Sequence, residues 1–258
     1  MKKSYLLHSD KLVDQETQRL EVQAEIFWRR EEPLFKSLVD DDAECLIDFG
    51  CGNGAYMALA AQYFERSVGF DIHPKLLQHA KERLPDSEFV NVGNLSRKQL
   101  TDLISDIRPS VILMRFVVQH FTEDEWGILK LLAEYTNANT SRLIIVDCDD
   151  NGNTFTPSDP VVEDAFDSLS SYIQAKGGNR KPNKLLADAF ANWGLPSLEQ
   201  FKVPLVFTKE NFAEFESTLL PGLVTANTSV SRGTFEDYFN SGGEIVVPIY
   251  YHASPRSK

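Results

Sequence analysis

Cysteine is scarce in this chain of 258 residues, where Cys45, Cys51 and Cys148 are the only three. Their number is odd and no two of them form a Cys-x-x-Cys pair, so neither a disulfide framework nor a structural zinc site is indicated. Unpaired thiols of this kind are typical of a reducing compartment. We therefore expect a cytoplasmic location.

Long apolar runs and an excess of basic residues are also missing. No uninterrupted apolar stretch approaches the roughly 18 residues of a membrane span, and Tyr5-Leu6-Leu7 is too short for the core of a signal peptide. The 38 Asp and Glu residues outnumber the 26 Lys and Arg residues, which gives a net charge of −12. Phosphate backbones and anionic lipids repel such a chain. We expect neither nucleic acid nor a membrane as a partner.

Residues 43–150 alternate between short apolar runs and segments with helical spacing. The apolar runs predict strands at 45–49, 67–71, 88–92, 111–114 and 142–147. The segments between them predict helices at 54–65, 74–84, 96–107 and 123–136. This alternation predicts βαβ units and a parallel sheet covered by helices on both faces.

The flanking regions are more helical. Residues 14–39 have helical spacing, and Pro33 is expected to split them into two helices. After the alternating region we predict a polar loop at 151–160, helices at 161–176 and 183–193, and strands at 202–207 and 244–251. The aromatic stretch 208–240 is expected to be helical, as part of the core edge or as a lid. The whole chain, 1–258, is predicted to be one domain.

A glycine-rich loop follows the first predicted strand and opens a helix. It contains Gly50, Gly52 and Gly54, and the absence of side chains there lets the backbone turn tightly and approach a ligand. The loop also fits the loose dinucleotide pattern G-x-G-x-x-G/A through Ala55. By itself, such a loop also suits a plain strand-to-helix turn.

Two acidic residues narrow the choice of ligand. Asp71 ends the second predicted strand, 21 residues after Gly50, where a carboxylate can accept both ribose hydroxyls; it can also cap the helix that begins at His73-Pro74. Asp48 lies two residues before Gly50 and would repel a diphosphate, but it would attract an ammonium group. S-adenosylmethionine is cationic and carries no phosphate.

Several segments resemble motifs of the class I S-adenosylmethionine-dependent methyltransferases, in particular their small-molecule, secondary-metabolite branch. The first motif is matched by Asp48-Phe49-Gly50-Cys51-Gly52-Asn53-Gly54 and the ribose-binding second motif by residues 70–77. Residues 92–95 resemble the third, adenine-binding motif. Residues 114–121 resemble the segment after the fourth strand, and 16–23 resemble a leader helix of this group.

This resemblance implies a Rossmann-like, doubly wound, seven-stranded and mostly parallel sheet with helices on both faces and helical cap elements. It divides the domain into an N-terminal cap at 1–39, a cofactor-binding core at 43–150 and an acceptor-covering part at 151–258. It implies methyl transfer from S-adenosylmethionine to a small molecule by in-line displacement, with S-adenosylhomocysteine as product. The cofactor-binding residues that it implies are Asp48, Gly50, Cys51, Gly52, Asn53, Asp71, Ile72, Asn94, Leu95, Arg115, Phe116, Gln23 and Tyr5.

The sequence departs from the family pattern at one position and lacks two other signatures. Asn94 stands where many members have Asp, although its amide oxygen can still accept a hydrogen bond from an adenine amine. No Asn-Pro-Pro-Tyr element follows the fourth strand, which counts against adenine or glutamine amines as acceptors. No Pro-Cys pair occurs, which counts against cytosine C5 chemistry.

His120 is the best candidate for a general base, because it follows the fourth strand, whose end opens on the cleft. The favoured alternative is that it packs or caps near the helix that begins at Glu123. Tyr5, Trp28 and Phe116 could form an apolar or cation–π wall near the sulfonium, or could be core residues. His8 and His252 lie near the chain ends and are expected at the surface.

An acidic segment, 147–153, partly matches a calcium-binding loop. Its twelfth position is Ser158 instead of Glu, and a strand precedes it instead of a helix. We therefore assign no metal. Asp147, Asp149 and Asp150 are instead expected to form a solvated acidic rim, which would favour neutral or cationic acceptors.

Three alternatives remain open at this point. A protein-modifying methyltransferase would need a wide, open cleft. A nicotinamide-dependent oxidoreductase could use the same glycine loop, although Asp48 is against it. A non-catalytic cofactor-binding protein would have a filled acceptor pocket. The chain is expected to be a monomer or a homodimer.

Overall fold

The computed structural model describes residues 10–256, with side chains from residue 16 onward. In that part of the chain, eight strands form one sheet. The strands are β1 Cys45–Phe49, β2 Arg66–Asp71, β3 Glu88–Asn91, β4 Val111–Arg115, β5 Arg142–Cys148, β6 Thr154–Thr156, β7 Glu199–Phe207 and β8 Glu244–Ala253. The sheet order is β3-β2-β1-β4-β5-β8, and both β6 and β7 pair with β8.

The first five strands are parallel, whereas β8 runs antiparallel to β5, β6 and β7. The chain moves outward from β1 in one direction through β2 and β3, and in the other from β4 onward. A ligand crevice is therefore expected outside the carboxyl ends of β1 and β4. The predicted Rossmann-like, mostly parallel sheet is confirmed, and the eighth strand is the three-residue β6.

The described helices are α1 Asp10–Leu38, α2 Ala55–Ala60, α3 Pro74–Arg83, α4 Arg97–Ile107, α5 Glu123–Ala138, α6 Pro160–Ala175, α7 Pro182–Trp193, α8 Phe212–Thr218, α9 Leu220–Ala226 and α10 Arg232–Asn240. Local side chains define several of their ends. Ser96 and Gln99 form a capping box at the start of α4. Asp159 accepts hydrogen bonds from two backbone N–H groups in the first turn of α6, which satisfies donors that have no partner within the helix.

Two apolar layers cover the sheet, one on each face. Val111 and Leu113 of β4 face the layer that contains Phe27 of α1, whereas Ile112 and Met114 face the opposite layer, which α4, α5 and α7 cover. Successive side chains of a strand point to opposite faces, so a continuous apolar run is what a strand buried on both faces requires.

Two expectations about the flanking regions are corrected, and the structure decides between the two alternatives given for a third. Pro33 does not split the first helix, because α1 runs through it to Leu38, and burial of Phe27 and Phe35 holds both halves against the sheet. The region 151–160 is not wholly a loop, since it contains β6. The stretch 208–240 forms α8, α9 and α10 and belongs to the core, where Phe215 and Phe235 are fully buried.

None of the helices between residues 10 and 256 combines the length and the apolar character that crossing a membrane requires.

Candidate active site

The glycine loop makes a tight turn that depends on its glycines. The N–H groups of Gly50 and Cys51 both donate to the carbonyl of Phe70, at 2.7 and 3.0 Å. Gly50 has φ +88°, and a Cβ atom on it would lie 2.3 Å from Cγ2 of Val117. Any side chain at this position would therefore meet both backbone strain and the segment after β4.

Asp71 connects the glycine loop to the loop after β2. Its Oδ2 accepts from the N–H of Gly52 at 2.9 Å, and its Oδ1 accepts from the N–H of His73 at 2.7 Å. Burial raises the pKa of Asp71, against the lowering effect of these hydrogen bonds. Each carboxylate oxygen has a second lone pair, so Asp71 can still accept from a ligand hydroxyl.

Asp48, at the end of β1, is a buried carboxylate. Its side chain is 3 % exposed, and no hydrogen bond to it is found among the residues that the structure describes. Burial raises the pKa of Asp48 to about 7, with Arg115 lowering it and Asp71 raising it further. An ionised carboxylate in such surroundings is costly unless a cation compensates it. The site therefore suits a cationic group.

The side chains of Cys51 and Asn53 are both buried. Asn53 donates to the carbonyl of Thr17 at 3.0 Å and accepts from the N–H of Ala55 at 3.2 Å, so it ties the glycine loop to α1. Cys51 is buried and packs beside Gly69. The amide of Asn53 is thus engaged within the protein, and the assignment of Cys51 and Asn53 to cofactor binding stays a prediction.

Helix α1 lies against the glycine loop. Cδ1 of Leu20 would be 3.2 Å from a Cβ atom on Gly52, and Glu21 forms an ion pair with Arg83 of α3. Gln23 is buried on the same helix. Tyr5, the other predicted closing residue, lies outside the described residues.

The residues expected at the adenine end lie after β2 and β3. Ile72 is 40 % exposed although it is apolar, and a Cβ atom on Gly93 would lie 3.5 Å from Cβ of Ile72. Asn94 is exposed and Leu95 is half-buried. An exposed apolar side chain beside a glycine offers a flat contact surface for a ring.

Arg115 and Phe116, at the end of β4, have surroundings that the sequence did not predict. Two nitrogens of Arg115 donate to Glu31 of α1, at 3.0 and 3.2 Å, and both side chains are buried. Glu31 belongs to the run Arg29-Arg30-Glu31-Glu32, in which basic and acidic residues are equal in number. The missed signal is spacing, because Glu31 lies four residues from both Phe27 and Phe35, on the buried face of α1.

His120 ends the one-turn helix Val118–His120 beyond β4. Burial lowers the pKa of His120 to about 4, and the nearby guanidinium groups of Arg180 and Arg19 lower it further. The imidazole is therefore neutral at pH 7 and in the protonation state of a proton acceptor. Its role as a base stays a prediction.

The prediction that Asp147, Asp149 and Asp150 form a solvated acidic rim is wrong. Asp147 is fully buried and accepts from the N–H groups of Gln119 and Cys148, both at 2.9 Å, and burial raises its pKa to about 7. Asp149 is also buried, and Asp150 pairs with Arg180 at 2.8 Å. These carboxylates hold the segments around β5 together, so they give no reason to expect a cationic acceptor.

No grouping of three or more His, Cys, Asp or Glu side chains suited to a metal ion occurs within residues 10–256.

Two further expectations concern aromatic and histidine side chains. Trp28 packs among Phe35, Tyr56 and Tyr63, so it is a core residue and not a wall of the crevice. His252 is buried instead of exposed, and its Nε2 lies 2.8 Å from Oδ1 of Asn183. His8 lies outside the described residues.

The sheet order, the glycine loop after β1 and the acidic residue at the end of β2 together define the class I S-adenosylmethionine-dependent methyltransferase fold. Residues 47–140 match the family model described as a methyltransferase domain. Residues 47–140 thus form a methyltransferase domain, whose cofactor is S-adenosylmethionine. The predicted class I methyltransferase fold, enzyme class and cofactor are confirmed, whereas the small-molecule branch stays a prediction.

Solved structures show the same fold. An S-adenosylmethionine-dependent methyltransferase from Anabaena variabilis is 16 % identical with a TM-score of 0.53, over 99 % of this chain and 97 % of that one. The YcgJ protein of Bacillus subtilis is 14 % identical with a TM-score of 0.52, over 89 % and 99 %.

A third solved structure holds two bound small molecules. It is phosphoethanolamine N-methyltransferase 2 of Haemonchus contortus, in complex with phosphomonomethylethanolamine and S-adenosylhomocysteine; it is 14 % identical with a TM-score of 0.53, over 90 % of this chain and 53 % of that one. No curated protein sequence matches the chain significantly.

Proposed function

We propose that the chain transfers a methyl group from S-adenosylmethionine to a small-molecule acceptor. The observation that carries this proposal is the position of α1 across the glycine loop, where Leu20 contacts Gly52 and Asn53 is bonded to Thr17. A cofactor edge covered by a helix leaves little room for a folded protein acceptor. The small-molecule complex of the Haemonchus contortus enzyme supports the same acceptor class.

The residues around the loop fit the cofactor. The buried carboxylate of Asp48 would be stabilised by the cationic ammonium group of the cofactor. Gly50 and Gly52 have no side chains, so the cofactor can approach the backbone closely. Asp71 retains lone pairs that can accept from the ribose hydroxyls. Ile72 offers an exposed apolar surface for the adenine ring. Asn94, Leu95, Gln23 and Phe116 complete the proposed contacts.

When bound, the cofactor supplies an electrophilic methyl group with a good leaving group. The chain then has to orient donor and acceptor and exclude water. We propose that the N-terminal region up to residue 39, which includes α1, and the region after residue 151 orient the two molecules and exclude water. His120, neutral at pH 7, is proposed to accept a proton from the acceptor at an imidazole nitrogen.

A polar groove of about 370 Å³ lies beside the segment that carries His120. Ser170 and Ser171 of α6 line it, together with Arg180, whose Nη1 donates to the side chain of Gln119 at 3.3 Å. We propose that a polar acceptor enters from this groove. A cytoplasmic location and a monomeric or homodimeric state stay predictions.

The proposal is tested by incubating the purified protein with a cell extract and methyl-labelled S-adenosylmethionine, followed by separation of small molecules from proteins. We expect label in the small-molecule fraction. A Gly50→Val variant, whose side chain collides with Val117, provides the background. Label that appears only in the protein fraction would contradict a small-molecule acceptor.

A further inference from the structure

Glu31 is the centre of a buried polar cluster, here called the Glu31 cluster, formed by Glu31, Tyr56, Arg115 and Tyr251. Glu31 is 0 % exposed. It accepts from the hydroxyls of Tyr56 and Tyr251 at 2.8 and 2.7 Å, and from two nitrogens of Arg115. One carboxylate therefore joins four elements: α1, α2, β4 and β8.

Arg115 connects the Glu31 cluster to Phe116 by direct packing. Its guanidinium carbon lies 4.1 Å from the ring centroid of Tyr56 and 4.2 Å from that of Phe116, so the group is held between two aromatic rings. Phe116 has φ +55°, a conformation that only a tightly packed non-glycine residue keeps. Its ring also meets Phe27 of α1 edge-on, at 6.0 Å.

Val117, the next residue, carries the constraint to the glycine loop. Its Cγ2 occupies the space that a side chain on Gly50 would need. A shift of Phe116 would move Val117 against the loop that is proposed to bind the cofactor. The Glu31 cluster and the cofactor loop are therefore in mechanical contact through two adjacent residues.

We propose that Glu31 and Arg115 act together as a positioning pair that sets Phe116 and Val117 against the glycine loop, and that Arg115 contributes to cofactor binding in this way instead of by direct contact. This inference rests on the proposed cofactor site at Gly50 and Asp48. The two Arg115 nitrogens that donate to Glu31 and the rings on its guanidinium leave it little freedom to reach a ligand.

Arg115 also acts on Asp48 through its charge, in addition to its contacts with Glu31 and Phe116. The groups that act on Asp48 are Arg115 on β4, Asp71 on β2 and the neighbouring thiol of Cys51. Of these, Arg115 is the one that favours the ionised carboxylate. Loss of the guanidinium should therefore raise the pKa of Asp48, an effect that a loss of packing alone would not produce.

The test is a double-mutant cycle on the intact chain, with S-adenosylmethionine affinity measured by isothermal titration calorimetry. The variants are Glu31→Gln, Arg115→Met and the double variant. We expect each single variant to lose about fivefold or more in affinity and the double variant to lose no more than the worse single one, because coupled residues are non-additive. Two outcomes would show direct contact and overturn the inference. In one, Arg115→Met loses affinity while Glu31→Gln keeps the wild-type affinity. In the other, the fold-loss of affinity in the double variant equals the product of the two single losses.

A matched control separates this effect from general damage to α1. Glu32 is adjacent on the same helix and also accepts from a tyrosine hydroxyl, that of Tyr63, at 2.7 Å, but it makes no bond to β4. Glu32→Gln should keep the wild-type affinity; an equal loss there would count against the inference. If Arg115→Met does not fold in a urea titration, Arg115→Lys takes its place in the cycle.

The pH profile gives a second readout. The midpoint at which affinity falls with falling pH should move upward in Arg115→Met, or in Arg115→Lys to a smaller extent, relative to the wild type. An unmoved midpoint together with an unchanged affinity in Arg115→Met would overturn the inference. Absence of S-adenosylmethionine binding by the wild type would contradict the proposed cofactor site itself, so the two failures are distinguishable.

Discussion

Asp48 combines two properties that rarely occur together on one side chain. It is almost fully buried, and no hydrogen bond to it is found within the described residues. Burial raises its pKa to about 7, so near neutral pH the carboxyl is divided between its two protonation states. A cationic ligand would favour the ionised state, and ligand binding is then coupled to the loss of a proton.

The first prediction concerns this coupling. Relative to Asp48→Asn, the wild type should lose S-adenosylmethionine affinity as the pH falls from 8 to 6, because the carboxyl becomes protonated and no longer attracts the ammonium group. Calorimetric titrations of both proteins at several pH values measure the difference, in which the ligand's own titration cancels. A constant affinity ratio over this range would contradict the role of Asp48.

The second prediction concerns Gly50. Gly50→Ala should cost backbone strain and, in addition, a collision of the new Cβ atom with Val117. We expect the collision to lower the free energy of unfolding by about 1–3 kcal/mol beyond the cost of the strain alone. Gly242→Ala is the matched control, since Gly242 has φ +91° and nothing within 4 Å of its Cβ position. Urea unfolding measures both; equal losses would mean that the contact with Val117 relaxes freely.

At the scale of elements, α1 is the part of the fold on which most of the site depends. Its buried face carries Phe27, Glu31 and Phe35, and its first described turns contact the glycine loop through Thr17 and Leu20. The helix includes Pro33 in its interior, where one backbone hydrogen bond is lost. Tertiary packing therefore outweighs local propensity along this helix.

The third prediction follows from this imbalance. Pro33→Ala should raise the free energy of unfolding by up to about 3 kcal/mol, because the side chain of Pro33 is exposed and the substitution restores a backbone donor without loss of packing. Chemical denaturation measures the change. Lys36→Ala, also exposed on α1, should stay within about 0.5 kcal/mol of the wild type. A destabilised Pro33→Ala protein would show that α1 depends on the proline.

At the scale of the whole molecule, buried titratable groups oppose one another in their effect on stability. Burial raises the pKa of Asp48 and Asp147 to about 7 and lowers that of His120 and His252 to about 4. Between pH 4 and 6.5 the folded protein retains protons on the carboxyls that the unfolded chain has lost, and it lacks protons that unfolded histidines bind. The carboxyls therefore lower stability as pH rises, and the histidines raise it.

The fourth prediction separates these opposing contributions in the ligand-free protein. From pH 4.5 to 6.5, His252→Asn should become less stable relative to the wild type, by roughly 1–3 kcal/mol, whereas Asp48→Asn should become more stable relative to it. Urea unfolding at several pH values gives both differences. Parallel changes in the two variants would contradict the opposite signs of their pKa shifts.

The sequence predicted seven of the eight described strands, most of the helices and the loop that follows β1. These features depend on local chemistry: apolar runs such as 143–146 belong to strands buried on both faces, and Gly50 and Gly52 allow a turn that other residues resist. The predicted break at Pro33 was wrong because it followed from helix propensity alone, and tertiary packing overrides that propensity in α1. The roles of the site residues stay predictions, but the positions of Asp48 and Asp71 at strand ends followed from the same local pattern.

Burial of charge could not be read in the same way. Glu31, Asp147 and Asp149 look like ordinary surface acids in the sequence, and within the net charge of −12 nothing distinguishes them from solvated ones. Their environment is created by residues far along the chain, such as Arg115 and Tyr251 around Glu31. The sequence by itself determined the order of elements and the glycine loop, because these follow from periodicity and backbone sterics. Only the tertiary structure decided which carboxylates are buried and which groups compensate them, because that depends on contacts between segments distant in sequence.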